Sequence, residues 1–317
     1  MGDQLRRIDM HAHVVPDSYR ELLVAADGSR PFVPSAKLPE LEANMTRYAI
    51  NAAVISIGPP GAYLGDQGRA NELARAANES LAEIVRNDPS RFAGVALLPL
   101  PDVDAALSEL EYALDHLDLD GVGLFSNVAG VYLGDSRWDP LIAELDRRGT
   151  YVFVHPAMPP YTPPLNDVHP VWLYEFPFDT TRALAQLIFS GTLERHPSMR
   201  LQFAHLGGVA PFIANRLASL AEREPERALQ APAGVTSYLR RQYYDTGLSQ
   251  SLPAITATRS VAPLEQIVFG TDWPYAALPE DGTDPAPELA ALSERERTAI
   301  DQGNAAALVP RLSGALA

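Results

Sequence analysis

Several histidine and aspartate residues stand at the ends of short apolar segments. These residues are His11, His13, His155, His205, Asp245 and Asp272. Imidazole nitrogens and carboxylate oxygens are typical ligands of zinc, manganese and iron, and histidine is also the commonest general acid or base. Since the chain contains no cysteine, only histidine and carboxylate groups could hold such a metal.

The spacing of His11 and His13 suits a shared metal site. Residues two apart on a β-strand point their side chains to the same face. We expect this face to be turned inward, with Ile8, Met10 and Ala12 on the opposite, helix-covered face. For any one histidine, the alternative is a core imidazole that is satisfied by neighbouring polar groups.

Eight apolar, β-branched or aromatic segments recur along the chain and predict β-strands. They are Arg7–His13, Ala52–Ile57, Phe92–Leu100, Gly121–Ser126, Tyr151–His155, Arg200–His205, Gln242–Gly247 and Gln266–Asp272. Helical periodicity lies between most of them, at Asn71–Arg86, Asp102–Leu117, Trp138–Arg148, Thr181–Arg195 and Pro211–Glu222. Strands that alternate with helices indicate a parallel sheet. Eight such units predict a single α/β domain over residues 1–317, a (β/α)₈ TIM barrel.

The active site of such a barrel lies at the carboxyl ends of its strands. His11 and His13 end the first predicted strand, His155 the fifth and Asp272 the eighth, so we expect them to bind one divalent metal ion. Zinc is the favoured ion and manganese the alternative. His205 ends the sixth strand and is predicted to act as acid or base, with metal ligation as the alternative.

The sequence around these positions resembles a known family. The segments are Ile8-Asp9-Met10-His11-Ala12-His13, Phe153-Val154-His155-Pro156, Phe203-Ala204-His205-Leu206-Gly207-Gly208, Phe269-Gly270-Thr271-Asp272-Trp273-Pro274 and Gly303-Asn304-Ala305-Ala306. They resemble the amidohydrolase superfamily, and within it the branch (amidohydrolase family 2) of aminocarboxymuconate-semialdehyde, salicylate and resorcylate decarboxylases. The segment from Glu175 to Arg182 is more similar to the 6-methylsalicylate decarboxylase-like members.

The resemblance implies an amidohydrolase-type barrel with the same four metal ligands, and a His205 that contacts the metal-bound water without binding the metal. It also implies that Arg216 reaches the active site of a partner subunit, and therefore a homodimer or higher homo-oligomer. The predicted fourth strand ends in Ser126 and Asn127, which cannot bridge two metal ions as lysine or glutamate does in binuclear relatives. The loop after the first strand has no convincing match to the substrate-binding arginine of the semialdehyde decarboxylase, which argues against that substrate.

Further side chains are expected near a substrate. The proline- and aromatic-rich segment at about 156–177 is predicted to form a lid or pocket wall. Its Trp172 and Tyr174 could stack on a flat substrate or pack against a neighbouring subunit. Arg182 opens the next predicted helix and is a candidate for binding a carboxylate. Tyr275 is a candidate for the pocket lining, with core packing as the alternative.

Asp245 ends the seventh predicted strand. It could hydrogen-bond a ligand histidine from outside the metal's coordination sphere. The alternative is that Asp245-Thr246-Gly247 serves only as turn chemistry at the end of a strand.

The predicted reaction is non-oxidative decarboxylation of a small aromatic (salicylate-like) or muconate-like carboxylic acid. Asp272 or His205 would protonate the ring carbon, and loss of CO₂ would then restore aromaticity. The alternative is a mononuclear hydrolase or hydratase, because a metal-bound water beside His205 could attack a lactone, an amide or an enoic acid. A ligand-binding barrel without catalytic activity is the third interpretation.

Composition restricts the partners. The formal net charge of −15 disfavours binding to nucleic acid or to an anionic membrane, but not to a small carboxylate. No apolar run approaches the length of about 18 residues that a membrane span requires, and the N-terminus has no signal-peptide pattern. We therefore expect a cytoplasmic enzyme.

Overall fold

Eight parallel β-strands, paired in chain order, form the centre of the protein. The structure is a computed structural model that describes residues 6–161, 170 and 172–316. The strands are β1 Arg7–His13, β2 Ile50–Ser56, β3 Phe92–Leu97, β4 Gly121–Phe125, β5 Tyr151–His155, β6 Arg200–Phe203, β7 Tyr243–Asp245 and β8 Ile267–Val268. Backbone hydrogen bonds from Met10 N to Phe269 O (2.9 Å) and from His13 N to Trp273 O (2.8 Å) join the segment after β8 to β1. They close the barrel, and the predicted (β/α)₈ fold is confirmed.

Helices cover the outside of the barrel. They are α1 Asp17–Leu22, α2 Leu38–Arg47, α3 Gln67–Asn87, α4 Val103–Glu111, α5 Asp139–Arg148, α6 Trp172–Phe189, α7 Thr192–Arg195, α8 Ala214–Ala218, α9 Leu220–Arg223, α10 Pro225–Ala228, α11 Val235–Arg240, α12 Leu252–Arg259, α13 Glu294–Thr298 and α14 Asn304–Leu308. A two-stranded antiparallel hairpin, Asn127–Val128 with Val131–Tyr132, follows β4. No helix among the described residues is long and apolar enough to cross a lipid bilayer.

Helix α3 illustrates why these segments are helical. Asp66 caps its N-terminus, where the carboxylate accepts a hydrogen bond of 2.7 Å from the backbone N–H of Arg69. Leu73, Ala77 and Leu81 recur every four residues and are fully buried, so one face of the helix is apolar. That face packs into the hydrophobic layer between the helices and the outside of the barrel.

Strand β1 departs from simple alternation. Its pairing with β2 shifts register between Asp9 and Ala12, as at a β-bulge. Ala12 packs in the helix-facing layer as expected, but Ile8 and Met10 pack with inward-facing residues of other strands, such as Phe153. The expectation that Ile8 and Met10 face the helices was therefore wrong, because the register shift moves the alternation by one residue.

The predicted lid lies partly outside the described residues, since 162–169 and 171 are not described. The part that is described changes the predicted boundaries. Helix α6 begins at Trp172, not near Thr181, and contains Pro177 in its interior. Arg182 consequently lies in the middle of this helix, so the expectation that it opens a helix was wrong. The proline obscured the helical pattern because proline usually ends a helix.

Candidate metal centre and active site

Five of the predicted side chains converge at the carboxyl end of the barrel. The Nε2 atom of His11 lies 3.1 Å from Nε2 of His13 and 3.1 Å from Oδ1 of Asp272. Oδ1 of Asp272 is also 3.3 Å from Nε2 of His13. One ligand atom from each of His11, His155, His205 and Asp272 lies within 4.8 Å of the others. The strand ends thus bring together residues that are far apart in the sequence.

Hydrogen bonds on the outer side of three rings fix their tautomers. Nδ1 of His11 donates to Oδ1 of Asp245 (2.9 Å), and Nδ1 of His155 donates to the carbonyl oxygen of Pro156 (2.7 Å). Nδ1 of His13 contacts Oγ of Ser56 at 2.8 Å, and this hydroxyl can donate its own proton to the backbone carbonyl of Ala12 at 3.2 Å. In its neutral form, each ring with its proton on Nδ1 turns the lone pair of Nε2 inward.

These lone pairs face the carboxylate of Asp272. Nε2 of His155 is buried and makes no hydrogen bond with any described residue, and Oδ1 of Asp272 faces the Nε2 atoms of His11 and His13. Buried acceptors that face one another are unfavourable unless a cation or a donor lies between them. Three imidazole nitrogens and one carboxylate form a donor set that suits zinc or manganese. The side chains of this structure thus fit one divalent metal ion.

The protonation states suit metal binding. Burial lowers the pKa of His13 and lowers that of His155 well below its usual value, so both rings are neutral, which is the form that can bind a metal. Burial also opposes protonation of His11, but the carboxylates of Asp245 and Asp272 outweigh it and raise the pKa of His11 to about 10. The same pair of carboxylates attracts a metal cation, which competes with this proton.

Asp272 is ionised despite its burial. Burial alone would raise the pKa of this carboxyl group, but the adjacent His11, His13 and His205 lower it well below its usual value. A carboxylate is the form that binds a metal.

His205 lies on the same side of the cluster as the cavity described below. Its Nε2 atom is 3.2 Å from Oδ2 of Asp272, and its Nδ1 atom makes no hydrogen bond with any described residue. If Nε2–H donates to Asp272, the ring cannot ligate a metal through that nitrogen. The contact fits both the predicted acid/base role and the ligand alternative, since one ligand atom of His205 lies within 4.8 Å of those of His11, His155 and Asp272.

Both His205 and Asp272 have a left-handed backbone. Their φ angles are 56° and 61°, and the next residue after His205, Leu206, has a φ of 53°. For residues other than glycine, this backbone conformation is unfavourable by roughly 1–2 kcal/mol. Strands β6 and β8 end before these residues, so turns place the two side chains, and the predicted strands were too long at these ends.

Asp245 holds the Nδ1 side of the His11 ring, opposite the Nε2 atom that faces Asp272. Besides the 2.9 Å hydrogen bond from His11, its carboxylate accepts 2.8 Å and 3.0 Å hydrogen bonds from Nε2 of Gln202 and from the backbone N–H of Gly247. A Cβ atom at position 247 would lie only 2.7 Å from Nδ1 of His11, so only glycine fits there. Of the two alternatives for Asp245, the geometry supports a hydrogen bond to His11, the residue predicted to be a metal ligand.

We expect Asp245→Asn to weaken metal binding by about 10- to 100-fold, since the outer partner of a ligand histidine tunes its basicity and orientation. The amide oxygen can still accept from His11, so the fold should survive. Metal affinity can be measured by competition with a chelator. Asp281→Asn, at an exposed position, is the control, and equal affinities of the two variants would contradict the supporting role.

Asp9 is a buried residue that sequence analysis did not select. Its carboxylate accepts hydrogen bonds from the backbone N–H groups of His11 and Thr271 (both 3.0 Å) and from Oγ1 of Thr271 (2.6 Å). Burial raises its pKa to about 6, although these hydrogen bonds oppose the shift. Asp9 thus ties β1 to the segment that carries Asp272. A charged residue within an apolar strand was the available signal.

We call the five converging side chains, His11, His13, His155, His205 and Asp272, the metal cluster. A cavity of about 1100 Å³ opens from it. His155, His205 and Asp272 line one end, and most of the remaining wall is apolar. The rings of Phe125 and Phe176 lie 6.2 Å and 6.1 Å from the ring of His155. No lysine or arginine is among the described residues that line this cavity. A negatively charged group would therefore find its counter-charge at the metal end.

The predicted substrate-binding residues fall into two groups. Tyr275 and Trp172 line the cavity, and the hydroxyl of Tyr275 donates to the carbonyl of Pro59 at 2.8 Å. The other three lie outside the described lining. Tyr174 is half-buried on α6, Arg182 pairs with Glu175 at 3.1 Å, and Arg216 is exposed on α8.

A buried carboxylate supports one side of the cavity and was also missed. Asp179 accepts hydrogen bonds from Nδ2 of Asn127 (3.0 Å), from the hydroxyl of Tyr132 (2.5 Å) and from the hydroxyl of Ser126. Asn127 also donates to the carbonyl of Met158, and both of these residues line the cavity. Asp179 thus fixes the hairpin after β4 against α6. The sequence offered no signal, because these partners are about 50 residues away from it.

Comparisons with known proteins agree with this architecture. The sequence profile of a family described as amidohydrolase matches residues 8–311. A 6-methylsalicylic acid decarboxylase of Penicillium expansum is 33% identical over 322 residues, which cover 98% of each chain. A crystal structure of an amidohydrolase II has a TM-score of 0.84 with 26% identity, over 96% of this chain and 99% of the other. A dihydroxybenzoic acid decarboxylase from Polaromonas sp. JS666, crystallised with manganese and the inhibitor 2-nitroresorcinol, has a TM-score of 0.80 with 23% identity over 96% and 97%.

Proposed function

The chain is a member of the amidohydrolase family, and we propose on this basis that it is a metal-dependent decarboxylase of a small aromatic carboxylic acid. The observation that carries the proposal is the convergence of three inward-facing imidazole lone pairs and one carboxylate at the end of an apolar cavity. The decarboxylase activity of the 33% identical relative supports it. We further propose that the substrate is salicylate-like, as in that relative.

In this proposal His11, His13, His155 and Asp272 hold one divalent ion, zinc or manganese. When bound, the ion would supply a Lewis acid that offsets the negative charge of a substrate carboxylate and polarises a neighbouring hydroxyl. Zinc and manganese both accept nitrogen and oxygen ligands, so the donor set suits either ion. The manganese in the Polaromonas structure supports manganese as the alternative to zinc.

The residues of the chain would move one proton. A donor protonates the ring carbon that bears the carboxylate, the bond from this carbon to the carboxyl carbon then breaks, and its electron pair returns to the ring as CO₂ leaves. His205 and Asp272 are the candidate donors, because both line the cavity. Asp272 is ionised, so it would first have to receive a proton, and Nε2 of His205 lies 3.2 Å from its Oδ2 atom. The apolar walls exclude water, and Phe125 and Phe176 can hold a flat ring beside His155.

The test is CO₂ release from a panel of ortho-hydroxybenzoates that includes 6-methylsalicylate. The protein would be reconstituted with zinc or with manganese, and the product identified by mass. We expect CO₂ and the corresponding phenol in equal amounts with at least one substrate. Uptake of water into a lactone or amide, without CO₂ from any acid, would instead indicate a mononuclear hydrolase and overturn the proposal.

We also propose a homodimer in which Arg216 acts in the partner's site. Arg216→Ala should then lower kcat/KM without changing metal content, whereas Arg223→Ala, another exposed arginine on the next helix, should change neither. Mixing Arg216→Ala with Asp272→Asn subunits should restore activity, because one hybrid site receives an intact metal centre and an intact arginine. No recovery in a mixture that exchanges subunits would remove Arg216 from the site.

A further inference from the structure

The cavity is larger than a simple hydroxybenzoate requires. Its volume of about 1100 Å³ lies slightly above the range of roughly 300–1,000 Å³ that holds drug-sized ligands. The metal cluster occupies one end, and the described wall elsewhere consists mainly of proline, leucine and aromatic side chains. A substituent in this region would meet apolar surface and no described cationic side chain. The space suits a hydrocarbon group and not a second carboxylate.

Large apolar side chains line the outer part of the cavity and are left in contact with solvent. The exposed fractions are 89% for Phe32, 61% for Leu173 and 46% for Trp172, and all three line the cavity. Clustered apolar surface of this kind is characteristic of ligand-binding grooves and other interaction sites. The three residues come from two separate parts of the chain, the segment between α1 and α2 and the first turn of α6.

Helix α6 connects this outer region with the metal centre. Phe176, whose ring is 6.1 Å from the ring of His155, follows Leu173 by three residues and Trp172 by four, so all three share one face of the helix. Four residues correspond to roughly 6 Å along a helix axis. A ring held beside Phe176 could therefore carry a chain of a few carbons that reaches Trp172 and Leu173.

We propose that Phe32, Trp172 and Leu173 form a subsite for an alkyl chain on the substrate ring, and that the preferred substrates are hydroxybenzoates with a propyl to pentyl chain in place of methyl. This inference rests on the proposed decarboxylase function. The carboxylate and hydroxyl lie at the metal end, and the chain runs along α6 to the mouth of the cavity.

The first test is a series of 6-alkylsalicylates from methyl to pentyl. A fully buried methylene is worth about a fourfold change in binding, and a half-exposed subsite should recover part of it. We therefore expect kcat/KM to rise about twofold for each added methylene. A 6-carboxyalkyl analogue of similar length should lose this gain.

Matched variants test the position of the subsite. Phe32→Ser and Leu173→Ser should reduce the ratio of kcat/KM for the pentyl and methyl substrates at least fivefold. Phe212→Ser and Leu229→Ser are the controls, since these residues are similarly exposed, at 80% and 73%, but lie outside the described lining. The controls should leave the ratio unchanged.

Binding of 3-alkylphenols, the expected products, separates this inference from the proposed function. Calorimetry should show that 3-pentylphenol binds more tightly than phenol, and that Phe32→Ser removes the difference. If 3-pentylphenol binds in this way but no acid releases CO₂, the alkyl subsite stands and the proposed decarboxylase function is overturned. CO₂ release with no dependence on chain length would overturn the subsite alone. A change of oligomeric state in Phe32→Ser, with an unchanged ratio, would assign the patch to a second copy of the chain and overturn the subsite.

Discussion

Asp272→Asn should abolish stoichiometric metal binding and reduce kcat/KM on the order of a thousandfold or more, comparable with losses on removing a key acid, base or electrostatic group. The carboxylate is the only anion among the four proposed ligands, and its Oδ1 atom lies 3.1 Å from Nε2 of His11 and 3.3 Å from Nε2 of His13. The amide is neutral and brings N–H donors towards a metal site. Metal content after dialysis and kcat/KM for the best substrate would be measured together.

The exposed Asp281→Asn is a suitable control for this experiment, because it makes the same chemical change outside the described lining of the cavity. Circular dichroism would establish that the Asp272 variant is folded. Full metal content, with kcat/KM reduced less than tenfold, would remove Asp272 from the proposed ligand set.

His205→Gln should lower kcat by about 10²–10⁴-fold, as expected for loss of a general acid or base, while metal content stays at one ion per chain. Glutamine can preserve a hydrogen bond to Oδ2 of Asp272, which His205 now contacts at 3.2 Å, but it cannot transfer a proton at neutral pH. The two measurements are kcat at saturating substrate and metal analysis of the same sample.

The paired measurements also distinguish the two alternatives for His205. A ligand role predicts that metal content and kcat fall together. His116→Gln serves as the control, because His116 lies at the end of the π-helical turn that follows α4 and should affect neither quantity. An unchanged kcat in His205→Gln would exclude both a ligand and an acid/base role.

Much of the barrel could be predicted because its strands carry local signals. Arg7–His13 and Tyr151–His155 have the predicted boundaries. Tyr151–His155 is a continuous apolar run that ends in histidine, and Arg7–His13 alternates apolar with polar residues up to His13. The closure of the barrel follows from the number of strands. The meeting of His11, His155 and Asp272 follows in turn, because parallel strands place their carboxyl ends at the same edge of the barrel.

Features that depend on distant partners could not be predicted in this way. The register shift in β1 depends on pairing with β2, and a window of sequence contains no information about that partner. The helical conformation of Trp172 was hidden by Pro177, whose disruptive effect is tolerated in α6. Arg182 was predicted to bind a carboxylate because it was placed at a helix N-terminus. In the structure it lies in the interior of α6 and pairs with Glu175 instead.

The left-handed backbone at His205 and Leu206 has an evolutionary consequence. Glycine adopts this conformation at no steric cost, so exchanging His205 for glycine would relieve backbone strain of roughly 1–2 kcal/mol. The side chain borders the cavity, and its loss would leave no sealed void. The 3.2 Å contact with Asp272, the greater freedom of glycine in the unfolded chain and selection for the proposed turnover oppose this exchange. A descendant that had abandoned catalysis would be expected to keep its barrel and its thermal stability while the histidine disappeared.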